Sequence, residues 1–241
     1  MSDRRCVILA GGKGTRLRPY TSVFPKPLVP LGERPIIDII MRQLHHYGFR
    51  RATLSVGYLA ELLQSYFATV NDGFPDMSLD FVKETKPLGT AGPLAAVKGL
   101  DETFIVMNGD VLTTLDYSRL YDYHKAQGNA LTISVYRRQV KIDFGVLELG
   151  EANVVQGYIE KPEHQYSVSM GVYVYEPHVL EYIEKDTYLD FPDLVVRMLD
   201  NKEKVGAYPF DGFWLDIGRH DDYATGQEIF SQNAAMFLPG S

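Results

Sequence analysis

The feature that most constrains the fold is a regular alternation of short apolar runs and amphipathic patterns through the first 110 residues. The apolar runs predict strands, and apolar residues at helical spacing between them predict helices. This alternation is typical of βαβ units with a parallel sheet. The predicted strands are 7–10, 52–56, 79–82 and 104–107, and the predicted helices are 36–47, 59–67 and 93–98.

Beyond residue 110 the pattern changes to strands with little helix between them, which favours an antiparallel or mixed extension of the sheet. These strands are predicted at 131–136, 145–149, 154–159 and 170–175, and helices return at 177–183, 191–199 and 222–230. The sequence contains no low-complexity linker or internal repeat. We therefore predict one continuous α/β domain over residues 1–230 and a loosely ordered tail over 231–241.

Composition excludes several partners. The chain has 24 Lys and Arg against 31 Asp and Glu, a net charge of -7, whereas nucleic-acid binding normally requires a basic face. The single cysteine, Cys6, cannot form an internal disulfide, and its apolar surroundings indicate a reduced thiol in the cytoplasm. No apolar run approaches the ~18 to 20 residues of a membrane span, so no membrane partner is expected. The apolar start is too short for a signal peptide.

A glycine-rich segment directly follows the first predicted strand. Gly11, Gly12 and Gly14 let backbone N–H groups turn toward an anion with no Cβ in the way. The spacing matches neither a dinucleotide fingerprint nor a P-loop. Taken alone, the segment leaves two interpretations open, a phosphate-binding loop and a tight turn between a strand and a helix.

The glycine segment is the start of a longer pattern. It reads Leu9-Ala10-Gly11-Gly12-x-Gly14-Thr15-Arg16-Leu17-x-Pro19, followed by Pro25-Lys26-Pro27-Leu28. In this form the sequence resembles the signature of the sugar-phosphate nucleotidyltransferases. Further similar pieces occur in order at 87–92, 108–110, 160–162, 170–173 and 214–218. The resemblance covers residues 7 to about 230 and is nearest to the mannose-1-phosphate guanylyltransferase branch.

This resemblance implies an enzyme that joins a sugar 1-phosphate to a nucleoside triphosphate, releases pyrophosphate and uses Mg²⁺. It implies a Rossmann-like, mixed and mainly parallel sheet flanked by helices, with a smaller antiparallel sugar-binding subregion. Residues 1–110 would form the mainly nucleotide-binding half and residues 111–230 the mainly sugar-phosphate-binding half.

Four catalytic residues follow from the resemblance. Arg16 would hold the triphosphate and the departing pyrophosphate, and Lys26 would contact the reacting phosphates. Asp110 and Asp216 would hold Mg²⁺. Asp110 follows a predicted strand, where ligands of open α/β sheets bind, but spacing alone does not bring Asp216 to it. Ordinary surface cations, a turn at 108–110 and a helix cap at Asp216 are the structural alternatives.

The resemblance also implies two sets of binding residues. The nucleotide-binding set is Leu9, Ala10, Gly11, Gly12, Gly14, Thr15, Arg16, Glu84, Pro87, Gly89, Thr90, Gly92 and Asp110. The sugar-phosphate-binding set is Lys26, Gly145, Glu160, Lys161, Ser169 and Gly171. Glu160 would accept hydrogen bonds from sugar hydroxyls, and Lys161 would bind the sugar's phosphate. Ser169 stands where relatives often have asparagine, so the sugar contacts are expected to differ there.

Glu84 bears on the choice of base. Relatives that transfer thymidylyl or uridylyl groups often have glutamine at the comparable place, whereas a carboxylate offers only acceptors and suits the two adjacent donors of guanine. We therefore predict GTP with mannose or a manno-heptose 1-phosphate. Glu84 as the polar end of a strand is the alternative. Other pairs (dTTP, UTP or CTP with glucose 1-phosphate), a non-catalytic regulatory subunit and a homo-oligomer are left open.

Overall fold

The computed structural model describes residues 4–70, 74 and 76–238. Within these residues a helix lies between the third and fourth strands and another between the fourth and fifth, as predicted. The strands are β1 Arg4–Ala10, β2 Pro30–Leu31, β3 Arg34–Pro35, β4 Phe49–Val56, β5 Ser78–Lys83, β6 Phe104–Asn108, β7 Val111–Thr113, β8 Leu131–Lys141, β9 Val146–Leu149, β10 Val155–Ile159, β11 Glu163–Tyr175, β12 Val205–Phe210 and β13 Trp214–Asp216. The helices are α1 Ile36–His46, α2 Ala60–Thr69, α3 Tyr117–Gln127, α4 Phe191–Asp200 and α5 His220–Phe237.

In the described residues, a seven-stranded sheet has the order β12-β8-β11-β6-β1-β4-β5. β1 is parallel to β4 and β6, and β4 is parallel to β5. β11 is antiparallel to both of its neighbours, and β12 is parallel to β8. β9 and β10 form a separate antiparallel pair. This architecture confirms the predicted fold class, a mixed and mainly parallel sheet with a smaller antiparallel part.

Both faces of the central sheet are buried. Cys6 and Ile8 of β1 lie in the apolar cluster that contains α1, whereas Val7 lies in the cluster on the opposite face with Leu94 and Leu194. Strands covered on both faces read as continuous apolar runs. This is why β1, β4 and β6 could be predicted from sequence.

Some predicted elements differ from the observed ones. The helices predicted at 93–98 and 177–183 are short 3₁₀ turns, Gly92–Ala96 and Pro177–Tyr182. The helix predicted at 222–230 begins at His220 and continues through Phe237, so the predicted tail starts inside α5. Phe237 is fully buried, with its ring 5.3 Å from that of Phe213, and this packing extends the helix. Residues 239–241 lie outside the described residues, and the division into two functional halves stays a prediction.

A long projection leaves the sheet on the antiparallel side. It comprises the distal part of β8, the β9–β10 pair and the first part of β11, residues 137–169, and is called the arm below. All of these residues are described, and none has a buried side chain. The arm is therefore an extended structure without a core of its own.

The helices give no sign of a membrane span. Among the residues that the structure describes, none of the helices combines the length and the apolar character needed to cross a bilayer.

Candidate active site

A cleft of about 740 Å³ opens at the carboxyl ends of β1, β4, β5 and β6. Each of these parallel strands contributes the residues that follow it, which is the usual position of ligands in open α/β sheets. Four groups of cleft residues end or follow a strand: Leu9 to Lys13 at β1, Gly57 and Tyr58 at β4, Glu84 to Thr90 at β5, and Asn108 to Asp110 at β6. Three more cleft residues come from loops, namely Lys26, Pro27 and Tyr188.

The glycine-rich segment forms one wall of this cleft. Gly11 packs on the Glu84 side chain so closely that a Cβ at Gly11 would collide with Oε1 of Glu84. Gly14 adopts a left-handed conformation with φ 57°, and its carbonyl accepts a hydrogen bond of 2.7 Å from Oγ1 of Thr21. Gly12 faces open space. The segment is thus a backbone surface open to the cleft, fixed at both ends by packing.

Lys26 and Asp110 form an ion pair in the cleft. Nζ of Lys26 donates to Oδ2 of Asp110, and the side chains are only 12% and 19% exposed. Oδ1 of Asp110 is buried and has no hydrogen-bond partner among the described residues. A buried carboxylate oxygen without a partner is costly, so this atom is suited to contact a ligand or cation.

Asp216 reaches the same place through strand pairing. β13 pairs with β7 so that Asp216 lies opposite Val111, and the N–H of Ile217 donates to the carbonyl of Asp110 at 3.0 Å. Partial burial and the neighbouring charge of Asp110 raise the pKa of Asp216, while Lys26 and Arg16 act against this shift. The structure therefore brings the two predicted metal ligands together.

Arg16 lies beside Asp216. A Cβ at Gly218 would be 3.5 Å from both Nη2 of Arg16 and Oδ2 of Asp216, so the two groups flank the same backbone position. Arg16 does not line the main cleft. It lines a shallow depression at the start of α5, together with Arg219, His220 and Asp221. Its cation is exposed and available to an anion that extends beyond the cleft.

The predicted nucleotide-binding residues mostly meet in the cleft. Those that line it are Leu9, Ala10, Gly11, Gly12, Glu84, Pro87, Gly89, Thr90 and Asp110. Gly14, Thr15 and Arg16 follow the wall segment and do not line the cleft itself. Gly92 does not line the cleft, and its N–H donates to the carbonyl of Leu189 at 3.0 Å.

The predicted sugar-phosphate-binding residues are divided between the cleft and the arm. Lys26 lines the cleft, whereas Gly145, Glu160 and Lys161 lie on the arm and do not line it. Glu160 accepts a hydrogen bond of 2.8 Å from the Tyr158 hydroxyl.

The root of the arm adjoins the cleft. Ser169 contacts the Tyr173 hydroxyl at 3.1 Å, and Gly171 is packed against the side chain of Asn108, a cleft residue. The arm therefore emerges from the edge of the cleft.

Glu84 is held firmly in the cleft floor. Its Oε1 accepts a hydrogen bond of 3.0 Å from Oγ of Ser55, and its N–H donates to the carbonyl of Val56 at 2.8 Å. Burial raises the pKa of Glu84, and the hydrogen bond from Ser55 opposes the shift. The carboxylate lines the cleft and also joins the ends of β4 and β5.

Sequence reasoning missed ten of the residues that line the cleft, and four of these illustrate why. Tyr58, Asn108 and Tyr188 were not identified, and Lys13 was interpreted as an ordinary surface cation, although all four line the cleft. Asn108 belongs to the recognised segment 108–110 and could have been found from it. Tyr188 comes from a distant loop and carried no local signal.

Tyr188 is anchored on the cleft side through Asp190. Its hydroxyl donates to Oδ2 of Asp190 at 2.6 Å, and Oδ1 of Asp190 accepts from the N–H of Thr90 at 3.1 Å. This chain of contacts ties the loop before α4 to the segment that follows β5. Tyr188 is still 58% exposed, so its ring is accessible to a ligand in the cleft.

No group of three or more His, Cys, Asp or Glu side chains within residues 4–70, 74 and 76–238 forms a metal cage. Two carboxylates are the usual protein contribution to Mg²⁺, which takes its other ligands from substrate phosphates and water. The pair of Asp110 and Asp216 fits that pattern.

Comparisons with known proteins agree with this geometry. Residues 5–233 match the family model described as nucleotidyl transferase. A mannose-1-phosphate guanylyltransferase catalytic subunit beta of Drosophila pseudoobscura pseudoobscura is 36% identical over 94% of this chain and 62% of its own length. A mannose-1-phosphate guanyltransferase of Saccharomyces cerevisiae is 31% identical over 97% of this chain and 66% of its own. The chain thus spans less than two thirds of the length of these relatives.

Solved structures show the same fold. HddC from Yersinia pseudotuberculosis superimposes with a TM-score of 0.71 at 27% identity, covering 94% of this chain and 99% of that one. HddC has also been solved in complex with GMP-PN, and that structure has a TM-score of 0.70 at 26% identity over the same shares of the two chains. With the family model matching nearly its whole length and the strand-end cleft in place, this chain belongs to the nucleotidyl transferase family.

Proposed function

We propose that this protein condenses a nucleoside triphosphate with a sugar 1-phosphate, giving a nucleotide sugar and pyrophosphate. The observation that carries the proposal is the cleft itself, where a backbone glycine wall faces the Lys26–Asp110 ion pair. The names of the curated relatives support GTP and mannose 1-phosphate as the substrates. The GMP-PN complex of HddC supports a guanine nucleotide.

The main requirement of the reaction is to neutralise the negative charges of the triphosphate and the sugar phosphate. A phosphate oxygen of the sugar 1-phosphate attacks the α-phosphorus, the bond to the bridging oxygen breaks, and its electron pair leaves with pyrophosphate. Positioning and electrostatic stabilisation dominate such transfers. Lys26 is largely buried and held by Asp110, so its cation is oriented before the substrates bind. Arg16, exposed beside Asp216, would contact the departing pyrophosphate.

The carboxylate pair fits a divalent cation, which we propose to be Mg²⁺. Asp110 and Asp216 would hold it, because Oδ1 of Asp110 is buried without a partner and Asp216 is adjacent. When bound, the ion would neutralise phosphate charge and orient the α-phosphate. The Lys26 cation balances part of the charge of this pair.

Glu84 supports a guanine base. Its carboxylate lies in the cleft floor and offers acceptors to a base that presents two adjacent donors. The hydrogen bond from Ser55 occupies part of this capacity, so a purely structural role for Glu84 is the competing explanation. Another nucleotide paired with glucose 1-phosphate is the corresponding alternative function.

The sugar phosphate is assigned to the edge of the cleft where the arm begins. Lys26, Ser169 and Gly171 lie at this edge, and Glu160 and Lys161 would approach from the arm. A regulatory subunit without catalysis is disfavoured by the presence of Arg16, Lys26, Asp110 and Asp216. The cytoplasmic location stays a prediction.

The test is a substrate matrix scored by pyrophosphate release. ATP, GTP, CTP, UTP and dTTP are each combined with mannose, glucose and manno-heptose 1-phosphates in the presence of Mg²⁺. We expect the greatest turnover with GTP and a manno-configured sugar, and none after chelation. Turnover only with a pyrimidine nucleotide would remove the guanylyl assignment. Tight nucleotide-sugar binding without turnover would instead favour a regulatory subunit.

A further inference from the structure

Tyr188 is an exposed aromatic residue in the cleft to which the proposed reaction assigns no step. It is 58% exposed, whereas Tyr58, which also lines the cleft, is 36% exposed. Tyr188 lies in the loop before α4, so it enters the cleft from outside the four strands that form its floor. An aromatic ring carries a large apolar surface, and covering it by a ligand is favourable. The ring is therefore a surface on which a ligand in the cleft can pack.

The hydroxyl of Tyr188 is already bonded, which leaves the ring as its free part. The hydroxyl donates to Oδ2 of Asp190 at 2.6 Å, and this hydrogen bond raises the pKa of Tyr188 above its ordinary value. The tyrosine is therefore a neutral donor at neutral pH. Oδ1 of Asp190 in turn accepts from the N–H of Thr90 at 3.1 Å. A ring that is held in this way before binding loses little conformational freedom when a ligand covers it.

The backbone beside Tyr188 is joined to the segment that follows β5. The N–H of Leu189 donates to the carbonyl of Leu88 at 3.0 Å, and its carbonyl accepts from the N–H of Ala91 at 2.9 Å. Gly89 has a φ of 81°, and a Cβ at this position would lie 2.5 Å from the carbonyl oxygen of Leu189. The glycine thus permits the loop before α4 to lie directly on this segment.

The same segment contacts Glu84, the residue proposed to bind the base. The backbone of Leu88 hydrogen bonds to the Glu84 carboxylate and opposes the rise in its pKa that burial causes. Leu88 therefore contacts Glu84 through its N–H and the loop of Tyr188 through its carbonyl. Both Glu84 and Tyr188 line the cleft. A base bound at Glu84 consequently lies in the same part of the cleft as the Tyr188 ring.

We propose that the Tyr188 ring stacks on the base of the bound nucleotide and favours purines over pyrimidines. Glu84 contacts the edge of the base and Tyr188 covers its face, so the two contacts do not compete. A purine has two fused rings and buries more of the tyrosine surface than a pyrimidine does. The inference rests on the proposed function in that a nucleotide occupies the cleft, but it requires no turnover.

Isothermal titration calorimetry with GTP and Mg²⁺, in the absence of a sugar phosphate, measures this contact without turnover. Tyr188→Ala removes the ring and Tyr188→Phe removes only the hydroxyl. Tyr166→Ala is the matched control, because Tyr166 is 53% exposed and does not line the cleft. We expect the GTP affinity to fall by ~10-fold or more in Tyr188→Ala, since stacking of a base on an aromatic side chain contributes this much. It should stay within about threefold of wild type in Tyr188→Phe and in the control.

Three further ligands separate stacking from other effects of Tyr188→Ala. UTP carries a smaller base, so its affinity should fall less than that of GTP. Pyrophosphate has no base, so its affinity should equal that of the wild type. Mannose 1-phosphate also lacks a base, and its affinity should not change.

Several results would overturn the proposal while leaving the condensation reaction in place. These are an unchanged GTP affinity in Tyr188→Ala, equal losses for GTP and pyrophosphate, and a loss confined to mannose 1-phosphate. An equal loss for UTP would remove the purine preference, and an equal loss in Tyr188→Phe would assign the effect to the hydroxyl instead of the ring. A wild-type protein that binds no nucleotide would remove the proposed function as well. Circular dichroism confirms that each variant is folded.

Discussion

At the scale of single residues, Asp216 combines a proposed role in activity with a cost to stability. Partial burial and the charge of Asp110 raise the pKa of Asp216 in the folded protein. A raised pKa means that the folded state holds the proton more tightly than the unfolded state. The resulting contribution to stability is present below the unfolded pKa and is lost as the pH rises through the folded pKa. At neutral pH the charge of Asp216 is therefore destabilising.

We predict that Asp216→Asn raises the melting temperature at pH 7 in the absence of divalent metal and lowers turnover by ~10²-fold or more, since a major electrostatic group at the reacting centre is lost. The gain in stability should disappear at about pH 3, one unit below the ordinary aspartate pKa of ~3.9, where the carboxyl is mostly protonated in both states. Thermal melts at about pH 3 and pH 7 and a pyrophosphate assay measure the two effects. A lower melting temperature at pH 7 would contradict this account of the charge.

Glu84 gives a second prediction at this scale. Glu84→Gln keeps the size of the side chain and its acceptor for Ser55 but replaces one carboxylate oxygen with a donor. If the carboxylate accepts the two guanine donors, kcat/KM for GTP should fall by ~10²-fold or more, because a mismatch in a polar site is strongly discriminated. The value for UTP should change much less. Equal losses for GTP and UTP would assign Glu84 to the structural role.

At the scale of elements, residues on the arm are expected to affect substrate binding (KM) and not the chemical step (kcat). Lys161 is exposed on the arm and does not line the cleft. We propose that it binds the sugar's phosphate. Lys161→Gln should raise KM for the sugar phosphate by ~10-fold and leave kcat within about a factor of two, as expected for uniform binding. Lys141→Gln, also on the arm, is the matched control. An unchanged KM for Lys161→Gln would refute this placement.

The elements also show what local sequence could predict. The central strands have a strong apolar signal because both of their faces are buried. Helix α3 was missed because most of its residues are polar and only Tyr117, Leu120 and His124 are buried. Its boundaries were marked nonetheless, since Asp116 caps its first turn and Gly128 ends it in a left-handed conformation. Cap signals would have identified this helix where periodicity did not.

At the scale of the whole molecule, the site was predictable in its parts and not in its assembly. The motif identified the glycine wall, Lys26 and Asp110, and of these the wall and Asp110 follow strands with clear patterns. The contact of Asp216 with this group depends on the pairing of β7 with β13, and the place of Tyr188 depends on the loop before α4. Neither long-range contact leaves a periodic or compositional signal in the sequence.

The link between α5 and the first loop has a consequence for synthesis. Nε2 of His220 donates to the carbonyl of Arg18 at 2.7 Å, across 202 positions of the chain. At ~5 to 20 residues per second, the ribosome makes the second partner about 10 to 40 s after the first. During that interval α5 has not been synthesised, so the segment that contains Arg16 and Arg18 lacks its contact with His220. The nascent chain can form its central strands early, but it completes the depression beside Arg16 only when residues 214–221 have emerged.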